Sequence, residues 1–101
     1  MYIVNREQLD QCRIRHARSR KSIDLWIKHV QGSQWRTPHD VKRSFQTVSI
    51  LKSGRAIFNL GGNHFRVITK IFYVTQIVQI RFAGSHAEYD RVDAEIICGK
   101  P

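Results

Sequence analysis

Between Thr47 and Gly84 the chain has no aspartate or glutamate, although the same stretch carries Lys52, Arg55, Arg66, Lys70 and Arg81. The acids sit towards the two ends: four among residues 1–46, against ten Lys/Arg, and four among residues 85–101, against two. No cluster of carboxylates is present of the kind a divalent-metal nuclease needs. The formal net charge of +9 draws phosphate backbones and acidic proteins through long-range fields.

Cysteine is scarce as well. Cys12 and Cys98 are the two present, far apart and not in a CxxC pair. They are expected to be reduced, buried thiols, and a cytosolic compartment argues against a disulfide between the ends. Cys12 and His16 stand at i, i+4, a spacing compatible with metal but far more often simple packing; no partner motif supports zinc. Phosphate-loop and GxSxG patterns are missing: Gly61-Gly62-Asn63 is too short and opens onto a strand rather than a helix. No apolar run is long enough to span a bilayer, and Met1–Arg6 has no signal-peptide pattern. The expectation is a cytoplasmic protein with no membrane contact. The 101 residues suit one domain, 1–101, without repeats, linkers or low-complexity segments.

What is present divides into a helical first half and a strand-rich middle. Tyr2–Val4 reads as a short edge strand. Asn5 and Gln8 resemble a capping box opening a helix from about Arg6 to His16, with Leu9, Cys12 and His16 on one face. Ile23, Trp26, Ile27 and Val30 recur as an amphipathic helix does, and Gly32 is a plausible stop. Thr37-Pro38 predicts an N-cap and first helical residue, with Val41 and Phe45 inward. Trp26 is expected in the core, and Trp35 as a lid on the core rather than a stacking surface. From Thr47 the period becomes two: strands are expected at 48–51, 55–60, 65–73 and 77–82, with a turn at Gly61-Gly62-Asn63 and a break at Gly84. Ser85 and Glu88 form a second capping-box pattern, so a short final helix should begin at His86. The residues after it read as loose. The fold class is α+β: two or three N-terminal helices on one face of a small antiparallel sheet, with a short C-terminal helix.

Alternation places Arg66, Ile68, Lys70 and Phe72 on one strand face, Arg55, Ile57 and Asn59 on another, and Ile77, Gln79 and Arg81 on a third. If these faces align, Arg55, Arg66, Lys70 and Arg81 make a basic surface with no acid in the sheet to neutralise it. Singly, each cation is best read as a solvated head on a stem lying along apolar surface; as a set they point to an anion site. The main competitor is a fold-back of Glu88, Asp90, Asp93 and Glu95 onto the strand cations. His86, in the first turn of a helix, would sit where backbone N–H groups favour an anion and a neutral imidazole, able to move a proton beside a phosphate. Tyr89, three residues on, lies on the same side and can orient a phosphate, donate a proton or stack on a base. This set fits metal-free RNA cleavage, in which the ribose 2′-OH is the nucleophile and the protein supplies a base and cations.

Two runs, Gly54–Ile68 and Gln76–Asp90, together with Trp35, Pro38 and the short helix after them, resemble HigB-type toxins of bacterial toxin–antitoxin systems. The resemblance covers nearly the whole chain; Ser85 stands where the family often has threonine, which keeps the cap. It implies a RelE-like fold and an mRNA endonuclease that usually acts on translating ribosomes, with no cofactor and no metal. It also implies a cognate antitoxin of the HigA type, with a helix-turn-helix domain through which alone operator DNA would be met. Carried over by position, His86 is the expected base or acid, Arg66 and Lys70 the phosphate stabilisers, and Tyr89 the residue that positions substrate. Arg55, Arg81, Lys52 and Asn63 are expected to hold RNA. The clusters Arg13–Arg15 and Arg18–Lys21 could contact ribosomal RNA or simply be a solvated helix face. The alternative function is a non-catalytic relative that inhibits DNA gyrase or only binds antitoxin and nucleic acid.

Overall fold

The computed structural model describes residues 1–94 and 97. Its elements run β1 (Tyr2–Val4), α1 (Glu7–Arg15), a 3-10 turn (Ala17–Ser19), α2 (Arg20–Gln31), α3 (Pro38–Ser44), β2 (Ser49–Ile50), a second 3-10 turn (Lys52–Gly54), β3 (Arg55–Leu60), β4 (Phe65–Phe72), β5 (Ile77–Ser85) and α4 (His86–Tyr89). The strands form one sheet in the order β1-β5-β4-β3-β2. The α+β architecture with N-terminal helices and a short last helix is the expected one. The sheet, however, is mixed rather than antiparallel, because β1 pairs parallel with β5, Ile3 opposite Val78. A parallel partner needs a crossover, and the whole helical half supplies it between β1 and the remaining strands.

The stripe of Ile23, Trp26, Ile27 and Val30 is buried as its spacing requires, and it meets Ala56, Phe58, Val67, Val78, Ile80 and Ala83 on the inner face of the sheet. Trp26 packs edge-on against Phe58 at 5.2 Å between centroids. Trp35 stacks on the same ring and donates its indole N–H to Ser44 Oγ at 2.9 Å, so it belongs to the core, as expected. α3 opens on Thr37 with a complete capping box closed by Asp40.

Three local expectations change. Asn5 does not cap α1: it takes φ +62° at the corner leaving β1, and Arg6 stands at the N-cap without a side-chain bond. The tight strand-to-helix reversal needs a left-handed residue there, which asparagine tolerates. The strand at 48–51 shortens to Ser49–Ile50. Gly84 does not break the sheet; β5 runs through it to Ser85. A glycine is needed there for another reason. A Cβ on Gly84 would lie 2.7 Å from Glu88 Oε1 and 2.8 Å from Phe82 Cζ. Cys12 is buried, and burial pushes its thiol pKa up; Cys98 and the last residues of the chain, expected from the sequence to be loose, lie outside the described residues.

Candidate active site

The face of the sheet away from the helices carries the cations, but a bulge alters its alternation. Along β3, β4 and β5 the register sets Arg55 opposite Lys70 and Lys70 opposite Gln79, then Ile57 opposite Ile68 and Ile68 opposite Phe82. Thr69 pairs with Ile80 while Ile68 pairs with Phe82, so Arg81 is the extra residue of a β-bulge. Phe82 therefore moves to the cationic face, instead of staying with Val78 and Ile80 on the core face as strict alternation predicts. Arg81 Nε and Gln79 Oε1 are buried there without a hydrogen-bond partner among the described residues.

At one end of this face, α4 brings a compact group together. Ser85 caps the helix, its Oγ accepting from the Glu88 N–H while Glu88 accepts from the Ser85 N–H. That box sets His86 and Tyr89 side by side, ring centroids 6.4 Å apart. Arg66, opposite Gly84 on β4, reaches over the Tyr89 ring with its guanidinium carbon 5.7 Å from the centroid. The same guanidinium is anchored by the carbonyls of Asn63 (2.8 Å) and Phe65 (3.3 Å). Asn63 thus enters the site through its backbone, in the left-handed turn at φ +76° that follows Gly61 and Gly62.

His86 is half-exposed, and its Nδ1 lies 3.1 Å from Asp90 Oδ2. With α4 only four residues long, little helix dipole acts on the ring; the neighbouring carboxylate replaces the dipole as the group that orients it. The i, i+4 spacing of His86 and Asp90 was a usable sequence signal for this pair.

Lys70 is not part of this group. It lies four residues along β4 from Arg66, a separation of about 13 Å at the usual strand rise, and its Nζ stands 5.5 Å from the Phe72 ring centroid. Lys52 is exposed in the second 3-10 turn. Arg55 is buried, and its Nη1 donates to the carbonyls of Ala94 and Ile97, both at 2.9 Å. The C-terminal segment therefore does fold back over the sheet at this point, but it meets Arg55 with carbonyls. Glu88 and Asp90 turn elsewhere: Glu88 to Arg15 (3.2 Å) and His16 (2.9 Å), Asp90 to His86. Glu95 lies outside the described residues.

The Glu88 arrangement was not legible in the sequence beyond its cap. Burial pushes the carboxyl up, yet the Ser85 N–H, the His16 ring and the Arg15 guanidinium outweigh it and hold the pKa at about 2. The carboxylate ties α1 to α4, 72 residues apart. Among the described residues no group of three or more His, Cys, Asp or Glu side chains is placed to hold a metal ion, and no helix is long and apolar enough to cross a membrane.

Comparison with known proteins adds a family. The profile of the HigB toxin, described as the RelE-like toxic component of a toxin–antitoxin system, matches residues 19–92. The chain is 21% identical over 94 residues to the mRNA interferase HigB of Escherichia coli O6:H1, covering 91% of each chain. It is 23% identical over 92 residues to the mRNA interferase toxin HigB of Escherichia coli K12, covering 89% of this chain and 88% of the relative. The mRNA interferase HigB of Shigella flexneri matches to the same extent.

Proposed function

Because this chain belongs to the HigB family of RelE-like toxic components of toxin–antitoxin systems, we propose that it is an endoribonuclease that cuts mRNA to arrest translation and growth. The observation that carries the reading is the group at the end of the sheet: His86 held by Asp90 and set beside Tyr89, whose ring lies under the Arg66 guanidinium. The names of the relatives as mRNA interferases support it.

The chemistry follows from that group. A neutral His86 that donates its Nδ1 proton to Asp90 leaves Nε2 with a bare lone pair. Nε2 takes the proton of a ribose 2′-OH, O2′ bonds to the adjacent phosphorus, and the bond from phosphorus to the 5′-oxygen breaks. The departing oxygen takes a proton from water at this open face, leaving a 2′,3′-cyclic phosphate and a 5′-hydroxyl. Arg66 stabilises the charge that builds on the phosphate. Tyr89 holds Arg66 with its ring and positions the nucleotide. Lys70, a strand's half-length away, holds a neighbouring phosphate, with Arg81 on the same face and Lys52 in the exposed turn before β3. Arg55 serves the fold, securing the C-terminal segment. The nucleophile belongs to RNA, so DNA is not a substrate.

An antitoxin partner follows from the family. A HigA-type antitoxin with a helix-turn-helix domain, meeting operator DNA on the toxin's behalf, and action on ribosome-bound mRNA in the cytoplasm complete the proposal. Primer extension on a reporter mRNA, with and without translation, tests it. Cuts that vanish with His86→Ala support the nuclease, and their dependence on translation supports action on the ribosome. Intact mRNA during growth arrest overturns it and makes DNA gyrase the next target to assay.

A further inference from the structure

A cleft of about 520 Å³ opens between the α1–α2 junction and the β3–β4 turn. Arg15, His16, Arg18, His64, Phe65 and Ser85 line it. Its size lies within the range of small-ligand sites.

Its polar groups fall into two sets. Arg15 and His16 are taken up by Glu88, and Arg15 also donates to the Ala83 carbonyl at 3.3 Å. These contacts neutralise the nearest acid and build the wall. Arg18 and His64 are exposed, and among the described residues their side chains form no hydrogen bond or ion pair. A free guanidinium and a free imidazole thus face a cleft whose floor is aromatic, with Phe65 under His16 at 5.7 Å between centroids. A cation beside ring faces is the combination that takes a nucleotide: phosphate on the guanidinium, base against a ring.

The cleft is joined to the proposed active site by the backbone itself. The His86 N–H donates to the His64 carbonyl at 2.9 Å, and Ser85, which lines the cleft, directly precedes His86. The cleft and the active-site group therefore meet at residues 85–86.

We propose that the cleft binds a nucleotide of the RNA strand beside the cut, with Arg18 on its phosphate and His64 against its base. This rests on the nuclease reading above and names a subsite for it. Ribosomal RNA offers the same chemistry, so the test separates the two sources.

Binding is read by fluorescence anisotropy with a fully 2′-O-methylated single-stranded RNA of about eight nucleotides, which cannot be cut. Arg18→Ala and His64→Ala, with far-UV circular dichroism confirming the fold, are expected to weaken binding about five- to tenfold each, and Arg18→Ala to flatten the salt dependence by about one unit of slope. Arg18→Lys should recover part of the loss. Unchanged affinity in both alanine variants overturns the proposal. So does a loss confined to mRNA-free ribosomes, with the oligomer bound normally, because the occupant is then ribosomal RNA. A wild-type protein that binds the oligomer through Arg18 and His64 yet cuts no RNA, translated or free, sinks the nuclease reading while the cleft stands.

Discussion

The imidazole of His86 and the carboxylate of Asp90 face each other at 3.1 Å across one helical turn, both more than half exposed. In so open a position the pair contributes little to stability; its effect is to fix which ring nitrogen carries the proton. A His86→Ala change should therefore leave the urea midpoint near that of the wild type. It should lower cleavage by about 10²-fold or more, the usual contribution of a general base. Asp90→Asn should lower cleavage by less, on the order of tenfold, because the amide still orients the ring but can select the wrong tautomer. Single-turnover cleavage rates check both, and an Asp90→Asn rate equal to that of the wild type would separate the carboxylate from the reaction.

The Arg66 guanidinium over the Tyr89 ring gives a second prediction. Tyr89→Phe keeps the ring and removes only the hydroxyl, so it should cost less than about tenfold in cleavage. Tyr89→Ala and Arg66→Ala should each cost about 10²–10³-fold, the usual range for losing a donor to a charged transition state. A Tyr89→Phe loss as large as that of Tyr89→Ala would instead make the hydroxyl the group that matters.

Glu88 makes the fold acid-sensitive in a defined window. Its folded pKa of about 2 lies below the ordinary 4.5, so its stabilising effect is complete above about pH 4.5 and is lost as the pH falls towards 2. Glu88→Gln should lower the melting temperature by a few degrees at pH 7, and the gap from wild type should close across that window. Gly84→Ala should mimic part of the loss at neutral pH, since its new Cβ displaces the Glu88 carboxylate. Thermal melts at several pH values measure both. A gap that stays constant down to pH 2 would mean that the tie between α1 and α4 does not depend on ionisation.

Arg55 should behave as a structural residue. Its two bonds to Ala94 and Ile97 carbonyls are charge-assisted and partly buried, so Arg55→Ala should cost about 2 kcal/mol. The Ile97 N–H, bonded to the Asp93 carbonyl at 3.0 Å, should then exchange faster with deuterium. Unaltered exchange there would show that Arg55 does not hold the segment.

Much of this protein is local, and its sequence determined that part. The apolar stripe of α2 has the period of a helix, and Ile23, Trp26, Ile27 and Val30 are buried accordingly. Thr37-Pro38 and Ser85-His86 carry cap signals that need only a few neighbouring residues, and both helices start where those signals lie. β3 spans Arg55–Leu60 as its alternation predicts. His86 and Tyr89 come together for the same reason, being three residues apart on one turn.

What the sequence left open depends on contacts between distant segments. β1 is parallel to β5 because the helical half intervenes as a crossover, which no strand pattern announces. The bulge at Arg81 shows itself only when β4 is laid against β5, and from there on every side chain changes face. Arg55 and Lys70 share a cross-strand pair, yet the C-terminal segment covers Arg55. The tie from His16 to Glu88 joins the end of α1 to α4, and Arg18 and His64, distant in sequence, line one cleft. The tertiary structure decided these, because charges bring no period of their own and find their partners only where packed apolar faces carry them.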